Sequence, residues 1–165
     1  GDEAVTMVIP PDRGQAIFHL KDAELVPQLI EGVFPDYRAI IPPSFKTRMV
    51  IATAEFLKAC RQAEIIAREG NYVLRINMKP QEGGPGTVEF STQSEEMGSA
   101  EVLADANIEG AGLLIAFNVR FLREVLDVIT TPNTILETNQ DNTPGMISTH
   151  GDDNFKHVIM PMHLG

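Results

Sequence analysis

Gly32-Val33-Phe34-Pro35-Asp36-Tyr37-Arg38-Ala39-Ile40-Ile41-Pro42-Pro43 divides this chain into two differently patterned parts. These twelve residues hold three of the eleven prolines and two of the aromatic side chains. Pro35 fixes its own φ and drives Phe34 towards extended backbone, and Pro42 does the same to Ile41. No helix runs through such a segment. It reads as a stiff extended strap, apolar on both sides, joining two packed units.

Upstream, residues 4–9 and 15–20 read as strands around the turn Pro10-Pro11-Asp12-Arg13-Gly14, with 23–30 continuing the second past a bend. A lone hairpin is marginal in water. The chain therefore reads as opening in mid-pattern, as a piece of something longer.

Downstream, residues 48–52 read as a strand. Thr53 is a candidate N-cap for a helix over 54–69 that Gly70 ends. At helical spacing Phe56, Cys60, Ala63 and Ala67 form one stripe, small enough for close approach to a sheet. Strands follow at 72–78, 86–92 and 100–108. The order then restarts: a strand at 112–117, Asn118 as N-cap, and a helix over 119–129 with Phe121, Leu122, Val125 and Ile129 on one side. Strands at 134–139, 146–150 and 156–162 complete it. Residues 48–108 and 112–162 are thus two copies of strand–helix–strand–strand–strand. A repeated unit of this kind predicts an α+β layer, with two helices on one face of an antiparallel sheet.

The chain's 165 residues suffice for one good core, and 43% hydrophobic and 22% charged residues are ordinary for a globular protein. No run approaches the roughly 20 apolar residues of a membrane span, and the first residues carry no signal-peptide pattern. A single cysteine, Cys60, excludes an internal disulfide and fits a reducing compartment. A net charge of -10 argues against a simple nucleic-acid binder, though not against an acidic protein with one less acidic face.

Three separated motifs carry a resemblance. Leu29-Ile30-Glu31-Gly32-Val33-Phe34-Pro35-Asp36-Tyr37-Arg38, then Ala116-Phe117-Asn118-Val119, then Val158-Ile159-Met160-Pro161-Met162-His163-Leu164 resemble the beta subunit of bacterial DNA polymerase III, the replicative sliding clamp. The likeness covers the whole chain but only the C-terminal part of the family's. Residues 1–38 resemble the last strands of the family's middle domain, and 39–165 its third domain. The resemblance implies a sliding-clamp fold and a processivity factor without catalytic activity or cofactor, cytoplasmic and nucleoid-associated. It also implies a homodimeric ring around duplex DNA, gripping no particular sequence. Its helices would line the hole, with Lys58, Arg61, Arg68, Arg120 and Arg123 as the DNA-facing residues; acidic neighbours make a mixed, solvated face the competing reading.

The same resemblance implies a hydrophobic pocket for short peptide motifs of the polymerase III catalytic subunit, the clamp loader, repair polymerases and mismatch repair proteins. Carried over residue by residue, the pocket takes Pro35 and Ile40 from the strap and Asn118 and Phe121 from the second helix start. Val158, Met160, Pro161, Met162 and His163 come from the tail, with residues 143–146 at the border. A groove lined by methionine and proline adapts to several peptides. Two positions depart from the family: Ala39 and His163 stand where arginine is common.

His150, Asp152, Asp153 and His157 are zinc-compatible types, so a small metal-dependent α+β enzyme is the alternative function, but their spacing spans a Gly-Asp-Asp-Asn turn. Gly83-Gly84-Pro85-Gly86 lacks the lysine and hydroxyl of a phosphate loop. Cys60 sits on the buried stripe with no evident base nearby in sequence, and no Gly-x-Ser-x-Gly motif occurs.

Overall fold

A computed structural model describes residues 4–11, 14–34 and 36–163, with Asp152 and Asp153 described by their backbone alone. The chain forms two compact units, Gly1–Asp36 and Tyr37–Gly165.

In the first unit, β1 (Thr6–Val8), β2 (Ile17–His19) and β3 (Glu24–Leu25) make an antiparallel sheet in that order. Met7 faces Phe18 in the register, and Phe18 faces Leu25. The expected continuation over 23–30 is a third short strand. Leu20 N–H donates to the Ala23 carbonyl at 2.9 Å, so the chain reverses between them. Among the described residues Ala16 is the unit's one buried hydrophobic, while Met7, Ile9 and Leu25 are exposed.

The strap departs from expectation in one respect. Tyr37–Ala39 forms a single 3-10 turn, with the Ile40 and Ile41 N–H groups donating to the Tyr37 carbonyl. The prolines bar a helix through the segment, yet the six residues between them leave room for one turn.

The second unit carries the duplication. Its first copy is β4 (Thr47–Ala52), α1 (Thr53–Ala67), β5 (Val73–Lys79), β6 (Gly86–Ser94) and β7 (Gly98–Gly110). Its second copy is β8 (Leu113–Asn118), α2 (Val119–Val128), β9 (Asn133–Thr138), β10 (Gly145–Thr149) and β11 (Asp152–Ile159). All eight strands join one antiparallel sheet in the order β11-β10-β9-β4-β7-β6-β5-β8. The copies interlock. β4 pairs with β7 of its own copy and β9 of the other, while β8 pairs with β5 of the other copy. The chain beyond β11 supplies the counterpart of the β4–β7 pairing, because Met162 N–H reaches the Ala116 carbonyl of β8 at 2.7 Å.

Both helices lie on one face of this sheet and against each other. The stripe Phe56, Cys60, Ala63 and Ala67 is buried as its spacing predicts, and the Phe56 and Phe90 rings sit 5.3 Å apart. Leu122, Val125, Leu126 and Ile129 bury the matching side of α2. Phe121 does not join them: it is 55% exposed.

The helix starts differ. Asn118 caps α2 as expected, its Oδ1 accepting from Arg120 N–H at 3.0 Å. Thr53 is the first residue of α1 rather than its cap, and no side chain caps that end. The Thr53 hydroxyl instead donates to the Thr131 carbonyl at 2.8 Å and lies 2.9 Å from Thr134 Oγ1, tying α1 to the second copy. The sequence predicts the last strand at 156–162. It begins earlier and ends at Ile159, since Pro161 has no N–H to continue the ladder.

Candidate docking cleft and helix face

The five basic residues expected on the helices have unlike surroundings. Arg61 Nη2 lies 2.8 Å from Asp127 Oδ1 on the other helix. Arg123 places Nη1 3.0 Å from Asp127 Oδ2 and Nε 2.7 Å from Glu64 Oε2, the latter without the angle a hydrogen bond needs. These two arginines fasten α1 to α2, and their charge is largely matched. Lys58 is exposed and 3.7 Å from Glu55. Arg68 follows the last turn of α1, and Arg120 sits over the Tyr72 ring at 5.2 Å. Neither makes an ion pair with a described residue. The helix face is therefore mixed in charge, with Arg68, Arg120 and Lys58 the cations most available to an anion.

Six of the residues expected in the pocket meet at one place. Asn118 and Phe121 from α2 and Val158, Met160, Pro161 and Met162 from β11 and the tail line a cleft of about 730 Å³. The Met162–Ala116 backbone bond holds the tail beside α2, and Met160 is left 63% exposed. Because Asn118 spends its side-chain oxygen on the cap, its amide N–H₂ is left with no hydrogen-bond partner among the described residues. The cleft thus offers a polar donor at one end of an apolar wall.

Other expected members lie elsewhere. Ile40 lines an adjoining hollow of about 560 Å³ with Tyr37, Arg38 and Lys156, and Val158 belongs to both. His163 lines, with Asp141 and Asn142, a small hollow of about 130 Å³ that shares Met160, Pro161 and Met162 with the cleft. Met146 lines a hollow with Pro42, Pro43 and Phe45, and residues 143–146 do not line the main cleft. Pro35 lies outside the described residues.

Sequence reasoning did not assign Glu124, Val125, Val128, Phe155, His157 and Ile159 to the cleft, and they complete its lining. Alternation along β11 was the available signal, since 155, 157 and 159 share a face. Burial lowers the pKa of His157 from its ordinary 6.5, favouring the neutral ring. His157 is thus a wall of the cleft. Among the described residues no group of three or more His, Cys, Asp or Glu is placed to hold a metal ion; the side chains of Asp152 and Asp153 lie outside that description. Cys60 is buried, and desolvation, helped by Glu64, pushes its thiol pKa far up. It is a core residue.

The duplicated unit, the shared sheet and the paired helices define the DNA-clamp class of fold. Residues 38–163 match the family described as DNA polymerase III beta subunit, C-terminal domain, and the chain belongs to that family. It is 27% identical over 163 residues to a beta sliding clamp of Synechococcus elongatus, covering 99% of this chain and 42% of that one. With a beta sliding clamp of Bacillus subtilis it shares 31% over 150 residues, covering 90% and 39%. A crystal structure of the DNA polymerase sliding clamp from Bacillus subtilis superposes with a TM-score of 0.83 at 29% identity, covering 98% of this chain and 41% of that one. The beta subunit from Thermotoga maritima shares the fold at a TM-score of 0.82 and 24% identity, covering 98% and 42%. The chain spans about two fifths of the length of these relatives. Sliding-clamp kinship, and not the metal-enzyme alternative, is what these comparisons support.

Proposed function

We propose that this chain is the C-terminal part of a ring-forming processivity clamp of bacterial replication, a non-catalytic accessory subunit working in the cytoplasm at the nucleoid. In this reading residues 1–38 are the last strands of a middle domain, and 39–165 belong to a third domain. The paired helices face duplex DNA through Lys58, Arg68 and Arg120, while Arg61 and Arg123 serve mainly as ties between the helices. So few free cations suit a tether that slides, because affinity for phosphate grows with each charge neutralised. The other face of the function is the cleft, which docks short segments of the polymerase, the clamp loader and repair proteins.

One observation carries this reading: an apolar cleft beside α2 that leaves Phe121 and Met160 more than half exposed, with the donor of Asn118 at its end. A buried leucine or phenylalanine anchor from a partner is the kind of group that such a surface binds. Titration with a labelled peptide bearing leucine and phenylalanine anchors tests it. Saturable binding that weakens about tenfold in Phe121→Ala and in Met160→Ala is expected. No saturable binding, or binding indifferent to both substitutions, would overturn the reading.

A further inference from the structure

Glu124 differs from the other carboxylates on the two helices. Glu55 pairs with Lys58, Glu64 with Arg123, and Asp127 with both Arg61 and Arg123. Glu124 is exposed and makes no ion pair with a described residue. Arg120 stands one turn before it, where an i,i+4 pair would form, but its guanidinium lies over the Tyr72 ring. Glu124 lines the cleft, and neither lysine nor arginine joins it there. The other titratable lining residue is His157, whose burial favours the neutral ring. Among the described residues Glu124 is thus the one acidic side chain lining the cleft, set beside the apolar wall of Phe121 and Val128. The adjoining hollow shares Val158 with the cleft and has a lysine, Lys156, in its lining.

We propose that Glu124 makes the cleft selective among apolar peptide segments, favouring those with a lysine or arginine beside the anchor that fills it. The inference rests on the docking reading above and deepens it. Charge then sets the direction of the occupant. A basic side chain is drawn to Glu124 on α2 and an acidic one towards Lys156 in the adjoining hollow. Like charges placed at either end would be disfavoured by the same rule.

Three labelled peptides test this. They share leucine and phenylalanine anchors and differ by lysine, glutamine or glutamate next to the phenylalanine. At low salt the lysine peptide should bind about two- to fivefold more tightly than the glutamine peptide, as an exposed ion pair allows, and the glutamate peptide more weakly than either. The order should shrink in concentrated salt. It should vanish in Glu124→Gln and persist in Glu55→Gln, which changes a carboxylate on the other helix. Equal affinities in the unsubstituted chain, or an order that survives Glu124→Gln, would overturn the selectivity and leave the docking reading standing. Failure of all three peptides to bind would overturn both.

Discussion

Met162 donates its backbone N–H to the carbonyl of Ala116 at 2.7 Å, which ties the end of the chain to the strand at the opposite edge of the sheet. That bond joins β11's extension to β8 and sets Met160 and Pro161 beside α2. Met162→Pro removes the donor while keeping an apolar side chain. The expected result is a loss of about 1 kcal/mol in denaturant unfolding, with weaker peptide binding because the tail wall loosens. Unchanged stability and unchanged binding together would show that the bond does not hold the cleft.

Gly110 ends β7 at φ +90°, and a Cβ there would run into the Lys46 carbonyl. Only glycine satisfies both conditions at no steric cost. Gly110→Ala should therefore cost on the order of 1–3 kcal/mol from backbone strain, before any clash is added. A midpoint shift below about 0.5 kcal/mol would refute this.

The helix carboxylates predict contrasting effects. Glu64 is mostly covered and faces Arg123, whereas Glu55 and its partner Lys58 are both over half exposed. Glu64→Gln leaves the Arg123 guanidinium, only 32% exposed, short of one partner charge and should lower the melting temperature by several degrees. Glu55→Gln should leave it within about one degree, as exposed pairs contribute little. Equal effects of the two substitutions in a thermal scan would contradict the assignment of Arg123 and Glu64 as the tie between helices.

His157 predicts an acid dependence. Its pKa in the folded chain lies below the unfolded value of 6.5, because burial disfavours the charged ring. Above both values the ring is neutral in either state and contributes nothing. As the pH falls through 6.5 the unfolded state binds the proton first, so stability drops, and the drop is complete below the folded pKa. Melting temperatures of the chain and of His157→Gln, followed from pH 8 to pH 5, should diverge in slope below about pH 6.5. Parallel curves would count against a partly buried, neutral His157.

The element order was legible in the sequence because it is written locally. The period of Phe56, Cys60, Ala63 and Ala67 gave the buried side of α1, and Asn118 gave the start of α2. Six of the residues that the family resemblance assigned to a pocket line a single cleft. Phe121 shows where periodicity stopped. It shares a helical side with Leu122 and Val125, yet only the tail's position decides that it faces a cleft instead of the core. His157 shows the same limit from the other direction: beside two aspartates in sequence it resembled a metal ligand, and in the fold it lines an apolar wall.

Sequence alone determined the duplication, the placing of strands and helices, and which stripes would be buried, since each depends on residues within a turn or a pleat of one another. Tertiary structure alone decided which charges are matched and which are free. Asp127 is 66 residues from Arg61, and Ala116 is far along the chain from Met162, so no local pattern records either partnership. Such pairs exist only once the two copies share a sheet, because the interlocked strand order brings the helices together and carries the tail to the opposite edge.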